Sequence, residues 1–142
     1  TYDFVLVDCP PALSMLTVNG LIAADGVIIP VQCEFFALEG IAALMETIDQ
    51  VRATHNANLV IDGVLRTMYD PRTSLTRQVS HQLEKFFGDR VFRTVIPRNV
   101  RLAEAPSHGL PVLKYDRLSK GALSYLALAS ELRKRLNLKT AA

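Results

Sequence analysis

Short apolar runs, each closed by a proline or by polar residues, constrain the fold of this chain more than any other feature of its sequence. Four such runs lie at Phe4–Val7, Val27–Val31, Leu59–Thr67 and Val91–Ile96. A largely unbroken apolar run is typical of a strand that is buried on both faces of a parallel sheet. We therefore predict four strands of a mainly parallel sheet, and a fifth, short strand at Val112–Tyr115.

The segments between these runs carry apolar residues at helical spacing. Helices are predicted over Leu13–Ala24, 37–54 and Leu75–Phe86, the last of them stopped by Gly88. Ser119 is predicted to cap a final helix. The inner face of that helix is predicted to carry Ala122, Leu126, Ala129, Leu132 and Leu136. Strands that alternate with helices of this length indicate an α/β fold with a mainly parallel sheet, in one domain or part of one.

Composition is that of a globular protein, since 49% of the residues are apolar and 21% are charged. No apolar run approaches the roughly 18–20 residues that span a bilayer. Cys9 and Cys33 are predicted to be buried thiols in a reducing cytoplasm, with a disulfide or a metal pair as the alternative. All 16 Lys and Arg residues follow residue 50, whereas half of the 14 acids precede it. This asymmetry indicates either an anionic partner for the second part or basic side chains that only solvate exposed helices.

The first apolar run ends in an aspartate, and that position suits a ligand site. In an open parallel sheet, ligands bind beyond the carboxyl ends of the strands. Asp8 stands at that end, directly before Cys9, Pro10 and Pro11. Four apolar residues followed by aspartate fit the Walker B pattern, whose carboxylate holds Mg²⁺ through water. An aspartate that caps the next helix gives the same pattern, so Asp8 alone leaves both interpretations open.

Five stretches taken together resemble the ParA/Soj/MinD family of partition ATPases, and its Soj branch in particular. They are Tyr2–Pro11, which resembles the family's Walker B and switch II segment, then Pro30–Gly40, Leu65–Thr73, Ile96–Gly109 and Tyr115–Ala122. They occur in the family's order and cover the chain from end to end. The resemblance implies a partial P-loop NTPase-like fold, a three-layer α/β sandwich. In it, residues 1–142 would be the C-terminal part of a single ATPase domain.

The sequence departs from the family at the phosphate-binding loop. The family's Walker A loop is a Gly-rich turn with two lysines that cradles phosphate, and this chain contains no Gly-Lys pair. The strand that carries the loop, its neighbours and the switch I aspartate would lie upstream. We therefore predict that the chain alone does not hydrolyse ATP. We also predict that the sheet edge left open by the missing strand drives formation of a homodimer or higher oligomer.

The resemblance implies a site for ATP or ADP with Mg²⁺ in the complete protein. Asp8 would be the catalytic carboxylate on the Mg²⁺ side, acting through water, and Pro10 with Pro11 would stiffen switch II and border the nucleotide.

The same resemblance places four further residues around the adenine and ribose. They are Met68, Pro97, Arg98 and Asn99. A thioether and a proline ring suit the flat, mostly apolar faces of a purine. The alternatives are that Met68 fills the core and that Pro97 only ends its strand.

Two arginines are candidates for DNA binding. In the family, dimers that sandwich ATP bind DNA without sequence preference, and the resemblance assigns the phosphate contacts to Arg72 and Arg101. A guanidinium offers a fixed charge and a forked donor set that suits phosphate. The alternative for Arg72 is an ion pair with Asp70 that braces the loop. Lys114, Arg117 and Lys120 are candidates to extend the basic surface.

The resemblance therefore implies a chromosome- or plasmid-partitioning ATPase of the bacterial cytoplasm, associated with the nucleoid. Its expected partners are a ParB/Spo0J-type protein that stimulates hydrolysis, non-specific DNA and a second copy of itself, with no membrane partner. Two alternatives remain open. One is a related MinD-like or other positioning ATPase, and the other is a non-catalytic module that binds DNA or a partner protein.

Overall fold

The computed structural model describes residues 2–10 and 12–136. The chain divides into two compact units, Thr1–Val27 with Leu38–Ile61 and Ile28–Ala37 with Asp62–Ala142. The helices are α1 Met15–Ala23, α2 Ala37–Thr54, α3 Ser74–Phe87, α4 Val100–Glu104, α5 Val112–Tyr115 and α6 Lys120–Arg135. The strands are β1 Gly26–Gln32 and β2 Val60–Thr67, which pair in a parallel sheet. The predicted α/β class is confirmed.

Local signals in the sequence locate most of these elements correctly. The predicted helices at α1, α2, α3 and α6, and the strands β1 and β2, are confirmed to within a few residues at each end. Gly88 follows α3 with φ +54, a left-handed conformation that glycine adopts without a Cβ clash. Ser119 caps α6, because its side-chain oxygen accepts a hydrogen bond from the Ala122 N–H.

The first unit is held together where α2 ends. The Asn56 side-chain amide donates to the carbonyls of Leu21, Ile22 and Ala24 at 3.1, 3.1 and 2.8 Å, and so satisfies the end of α1. Arg52 Nε donates to the Leu59 carbonyl at 2.7 Å. The buried apolar residues of this unit are Leu21, Ile41, Ile48, Val51, Leu59 and Ile61.

The predicted strand at Phe4–Val7 is wrong. Residues 4–7 carry no regular structure, and the side chains of Val5, Leu6 and Val7 are 81%, 85% and 59% exposed. A strand needs a neighbour that pairs with its backbone, and no part of the chain that the structure describes pairs with this run. Cys9 is nevertheless held close to α1, since a Cβ on Gly20 would lie 2.7 Å from its Sγ.

The predicted strand at Val91–Ile96 forms only in part. Two isolated parallel bridges, Val64 with Val91 and Tyr69 with Pro97, pair this segment with β2 and the residues after it. The Phe92 and Ile96 N–H groups donate to the carbonyls of Val64 and Arg66, at 2.9 Å each. Between these two residues, the backbone N–H groups of Arg93 and Thr94 donate to the Glu131 carboxylate, at 2.8 and 2.9 Å. The pairing with β2 is therefore interrupted where a side chain of α6 contacts the segment.

The core of the second unit lies beside this interrupted pairing. Leu65, Phe92 and Ile96 form it. Ile28, Leu102, Leu128 and Leu132 pack against it. The predicted inner face of α6 is right for Ala122 and Leu132, but Leu126, Ala129 and Leu136 are exposed. Helical spacing alone did not identify Leu128 as the residue that packs.

The predicted strand at Val112–Tyr115 is a single helical turn. The Pro111 carbonyl accepts from the N–H groups of Lys114 and Tyr115 at 2.9 and 3.0 Å. A proline directly before a helix suits this geometry, because its fixed φ and missing N–H cost nothing there. None of the helices within residues 2–10 and 12–136 is long and apolar enough to cross a bilayer.

Candidate functional site

The predicted Mg²⁺-side residues lie in the first unit. Asp8 and Pro10 are exposed at the end of the apolar run, and Cys9 between them is half-buried. The buried hydroxyl of Thr17 on α1 fixes this turn, because its Oγ1 lies 3.2 Å from the Pro10 carbonyl and 2.7 Å from that of Ala12. The sequence analysis did not identify Thr17, although it is one of two polar side chains on this mostly apolar short helix. Pro11 lies outside the described residues.

The predicted adenine-side residues lie in the second unit, and the structure brings them together. The Tyr69 N–H donates to the Ile96 carbonyl at 3.0 Å, and the Arg98 N–H donates to the Tyr69 carbonyl at 3.3 Å. These two bonds pair Tyr69, the residue after Met68, with Pro97 at the carboxyl end of β2. Two segments about 30 positions apart in sequence therefore meet where strand-end reasoning expected a ligand.

Met68 is the only non-glycine residue with a positive φ among the described residues, at +50. Its side chain is 42% exposed, so it is not the core filler of the alternative interpretation. A residue other than glycine in the left-handed region is uncommon and strained, and such residues cluster at ligand sites. Pro97 is half-buried.

Asn99 has a structural role that the sequence interpretation did not include. Its side-chain oxygen accepts from the backbone N–H groups of Arg101 and Leu102 at 3.0 and 3.3 Å, which makes it the N-cap of α4. Only its side-chain NH₂ is then available to a ligand. The predicted contact of Asn99 with nucleotide stays a prediction.

Arg72 forms the ion pair with Asp70 that was the alternative to DNA binding. Its Nε lies 2.9 Å from Asp70 Oδ1 and its Nη2 lies 2.8 Å from Asp70 Oδ2, so the pair is bidentate. The hydrogen bonds from Arg72 lower the pKa of Asp70 to about 2. The Arg72 side chain is still 87% exposed. The ion pair with Asp70 therefore leaves Arg72 accessible to a phosphate group, and DNA binding by Arg72 stays a prediction.

Arg101 is held by two carboxylates. Its Nη1 lies 2.9 Å from Glu104 Oε2, and its Nε lies 3.3 Å from Asp116 Oδ2. Tyr115 Oη donates to the same Glu104 oxygen at 3.1 Å. The bonds from Arg101 and Tyr115 lower the pKa of Glu104. Sequence reasoning missed Glu104, although its spacing of three from Arg101 on a helix was a signal.

Four further cations near these arginines have no ion pair with any residue that the structure describes. They are Arg98, Lys114, Arg117 and Lys120, all exposed. They lie in the segment from Pro97 to the start of α6, where α4, α5 and α6 contact one another. The predicted extension of a basic surface therefore has the exposure that phosphate contacts require.

A separate cleft of about 910 Å³ lies at the opposite end of the pairing between β2 and residues 91–97. None of the predicted site residues lines it. Its floor includes the buried Arg66, which donates through Nη1 to Ser80 at 2.7 Å and through Nη2 to the Phe92 carbonyl at 2.9 Å. Burial raises the pKa of the neighbouring Cys33 thiol, and Arg66 partly offsets that effect. Cys9 and Cys33 are both free thiols, so the disulfide alternative is wrong.

The residues present fit the cofactors that the resemblance implies, in part. The exposed thioether of Met68 suits one face of a purine, and Pro97 is paired with the next residue, Tyr69. Asp8 offers an exposed carboxylate. No group of three or more His, Cys, Asp or Glu residues that could hold a metal occurs within residues 2–10 and 12–136. Mg²⁺ is commonly held by one or two carboxylates together with substrate phosphates and water, so one carboxylate is consistent with that mode.

This chain is similar to known proteins both in fold and in sequence. The fold is that of P-loop MinD/ParA-like ATPases. A crystal structure of cobyrinic acid a,c-diamide synthase from Mycobacterium smegmatis with bound ADP and magnesium superposes with a TM-score of 0.71 at 35% identity, over 92% of this chain and 46% of that one. A family model described as an AAA domain matches residues 1–61.

Several curated relatives carry partition names. The chain is 55% identical over 132 residues to the chromosome-partitioning ATPase Soj of Treponema pallidum, covering 93% of this chain and 52% of that protein. It is 56% identical over 130 residues to the chromosome partitioning protein ParA of Caulobacter vibrioides, covering 92% and 49%. The chain is thus of the ParA/Soj type within the MinD/ParA superfamily. It spans about half the length of the curated relatives it matches.

Proposed function

We propose that this chain is part of an ATPase that partitions chromosomes or plasmids, and that it supplies the Mg²⁺-side, adenine-side and DNA-side residues of that protein. The observation that carries the proposal is the pairing of Tyr69 with Pro97 at the carboxyl end of β2, which joins the segment that contains Met68 to the one that contains Pro97. The names of the Soj and ParA relatives and the ADP and magnesium in the mycobacterial structure support it.

In this proposal two sets of residues contact the nucleotide in the complete protein. Asp8 would position Mg²⁺ through water, and the metal would neutralise charge on the phosphates during transfer. Met68 and Pro97 would cover the purine, with the main chain and Asn99 Nδ2 reading its edge. Arg98 would lie beside the ribose.

The DNA side and the partners follow from the same family relationship. Exposed cations around α4, α5 and the start of α6 would contact backbone phosphates without reading bases. A ParB/Spo0J-type protein would stimulate hydrolysis, a second copy of the chain would complete the DNA-binding state, and the protein would act on the nucleoid in the cytoplasm. No membrane partner is proposed.

One observation favours a second candidate for the chain taken alone. Residues 1–50 contain no Lys or Arg, so the segment around Asp8 has no cation of its own for phosphate. The chain alone would then bind DNA or a partner protein without hydrolysing ATP. A MinD-like positioning ATPase is the remaining alternative, and charge reversal of the exposed cations separates it from the partition function through loss of DNA binding.

The three methionines provide a direct test of the nucleotide site. In methyl-labelled protein, Mg-ADP is expected to shift the Met68 methyl signal and to leave that of Met45, on α2, unchanged. Calorimetry with Mg-ATP is expected to show at best millimolar affinity, and a phosphate-release assay is expected to show no turnover. No shift of the Met68 signal at saturating nucleotide would contradict the adenine-side assignment. Turnover by the chain alone would show that it contains a phosphate-binding element of its own.

A further inference from the structure

Three carboxylates form ion pairs with the two arginines that are proposed to contact DNA. They are Asp70 on Arg72, and Glu104 and Asp116 on Arg101. The four other cations of this region have no ion pair among the described residues. The three acids therefore pair selectively with Arg72 and Arg101, although Arg98, Lys114, Arg117 and Lys120 are also exposed.

We propose that Asp70, Glu104 and Asp116 compete with DNA phosphates for Arg72 and Arg101, and so set the affinity and the salt dependence of DNA binding. This inference rests on the proposed function, because it concerns the regulation of the same surface. The occupant is the phosphate backbone of duplex DNA, which presents many equivalent acceptors without sequence information.

The geometry makes exchange between carboxylate and phosphate feasible at Arg72. Asp70 occupies the Nε and Nη2 donors of the guanidinium, and these are among the donors that a bidentate phosphate contact would use. The Arg72 side chain is 87% exposed and that of Asp70 is 25% exposed, so a polyanion can reach the guanidinium from solvent. An ion pair whose arginine is open to water contributes little net stability, so a polyanion can displace the carboxylate at small cost.

More carboxylates compete with DNA phosphates for Arg101 than for Arg72. Two carboxylates contact it through different nitrogens, and its side chain is 51% exposed. Tyr115 also holds Glu104 in place, and the Asp116 side chain accepts from the Leu118 N–H at 3.2 Å. Displacement at Arg101 therefore disturbs the contacts of two carboxylates, whereas displacement at Arg72 disturbs those of the Asp70 carboxylate, which also accepts from the Arg72 backbone N–H at 3.1 Å.

Neutralising one carboxylate should add one phosphate contact. Each such contact steepens the fall of log K with log salt by about 0.9, which corresponds to a gain of up to about eightfold in affinity at 0.1 M salt. Asp70→Asn removes the charge and keeps an oxygen that can orient Arg72. It therefore separates competition from positioning, and Arg72→Ala removes the arginine that both effects require.

The first experiment measures binding of the 142-residue chain to a fluorescent random-sequence duplex by anisotropy over a series of salt concentrations. Asp70→Asn is expected to raise the affinity and to steepen the salt slope by up to about 0.9. Glu46→Gln is the control, since it makes the same charge change at an exposed position of α2. In an Arg72→Ala background, the effect of Asp70→Asn should fall to that of the control. Weaker binding by Asp70→Asn would overturn the proposal and assign Asp70 a positioning role.

A second measurement keeps the proposal testable if the chain binds no DNA, an outcome that would count against the proposed function alone. The Arg72 Nε–H signal is followed by NMR while inorganic phosphate is added. A larger phosphate-dependent shift in Asp70→Asn than in the unchanged chain supports competition. Equal responses in the two proteins would overturn it, whatever the DNA result.

Discussion

At the scale of single residues, the Glu131 carboxylate is a hydrogen-bond acceptor for several groups of the second unit. Its carboxylate accepts from the backbone N–H groups of Arg93 and Thr94 and from Arg135 Nη2. Arg135 in turn stacks 4.3 Å above the Phe92 ring centroid and donates to the Val91 carbonyl at 2.8 Å. One acid and one arginine of α6 thus satisfy the backbone where the pairing with β2 is interrupted.

The environment of Glu131 predicts a loss of stability in acid. Burial favours the neutral acid, but the hydrogen bonds from Thr94 and Arg93 outweigh it and lower the pKa of Glu131 to about 2. The unfolded chain binds this proton more readily, since its carboxyl has a pKa of about 4.5. Stability from Glu131 is therefore complete above about pH 4.5 and is lost as the pH falls toward 2.

Glu131→Gln is expected to lower the free energy of unfolding by about 1–3 kcal/mol at pH 7, because hydrogen bonds to a charged acceptor are replaced by weaker ones. Urea titrations at pH 7 and pH 3 measure the effect, with Glu46→Gln as the matched exposed control. The difference between Glu131→Gln and the unchanged chain should shrink at pH 3. A difference of the same size at both pH values would show that the charge of Glu131 is not the cause.

At the scale of elements, the N-terminus of α6 depends on one side chain. Ser119 Oγ accepts from the Ala122 N–H at 3.2 Å and donates to the Asp116 carbonyl at 2.8 Å. The corresponding residue of α3, Thr73, makes no side-chain cap hydrogen bond. The two helices therefore offer a matched comparison within one chain.

Ser119→Ala is expected to destabilise the chain by about 1 kcal/mol, and Thr73→Ala by less than about 0.5 kcal/mol. The reason is that only the first substitution leaves a helix donor without its partner. Chemical denaturation gives the free energies, and amide exchange at Gly121 and Ala122 locates the effect. Equal losses in the two variants would contradict the assignment of Ser119 as the cap.

The elements also show what the sequence can predict. Helices α1, α2, α3 and α6 follow from spacing, caps and stops that are local in sequence. The failures at Phe4–Val7, Val91–Ile96 and Val112–Tyr115 have another cause, because a strand exists only where distant backbone pairs with it. The site divides in the same way. The resemblance predicted that Met68 and Pro97 both border the adenine, and the pairing of Tyr69 with Pro97 brings their segments together. The contact of Asp116 with Arg101 was not predicted, because it forms only when the segments around α4 and α5 pack together.

At the scale of the whole molecule, an apolar segment lies open to solvent. Phe4, Val5, Leu6 and Val7 are 45%, 81%, 85% and 59% exposed. Their side chains are typical of a strand interior, and no described residue pairs with their backbone. The predicted self-association of the chain would proceed through this segment.

Leu6→Lys is expected to shift the chain toward monomer, because a charge on a pairing apolar segment opposes association. Leu118→Lys is the control, since Leu118 is also 84% exposed but lies outside the segment. Sedimentation velocity over a range of protein concentrations measures the effect. An unchanged association of Leu6→Lys would assign the interface elsewhere, and a monomeric unchanged chain would refute the predicted oligomer.

The contact between Glu131 and the backbone of residues 93–94 has a consequence for such assembly. An incoming strand needs free N–H groups along the segment it joins, and those of Arg93 and Thr94 already donate to a carboxylate. The Glu131 carboxylate therefore opposes the pairing of an incoming strand at these two donors, whereas no described residue occupies the backbone of residues 4–7 in this way.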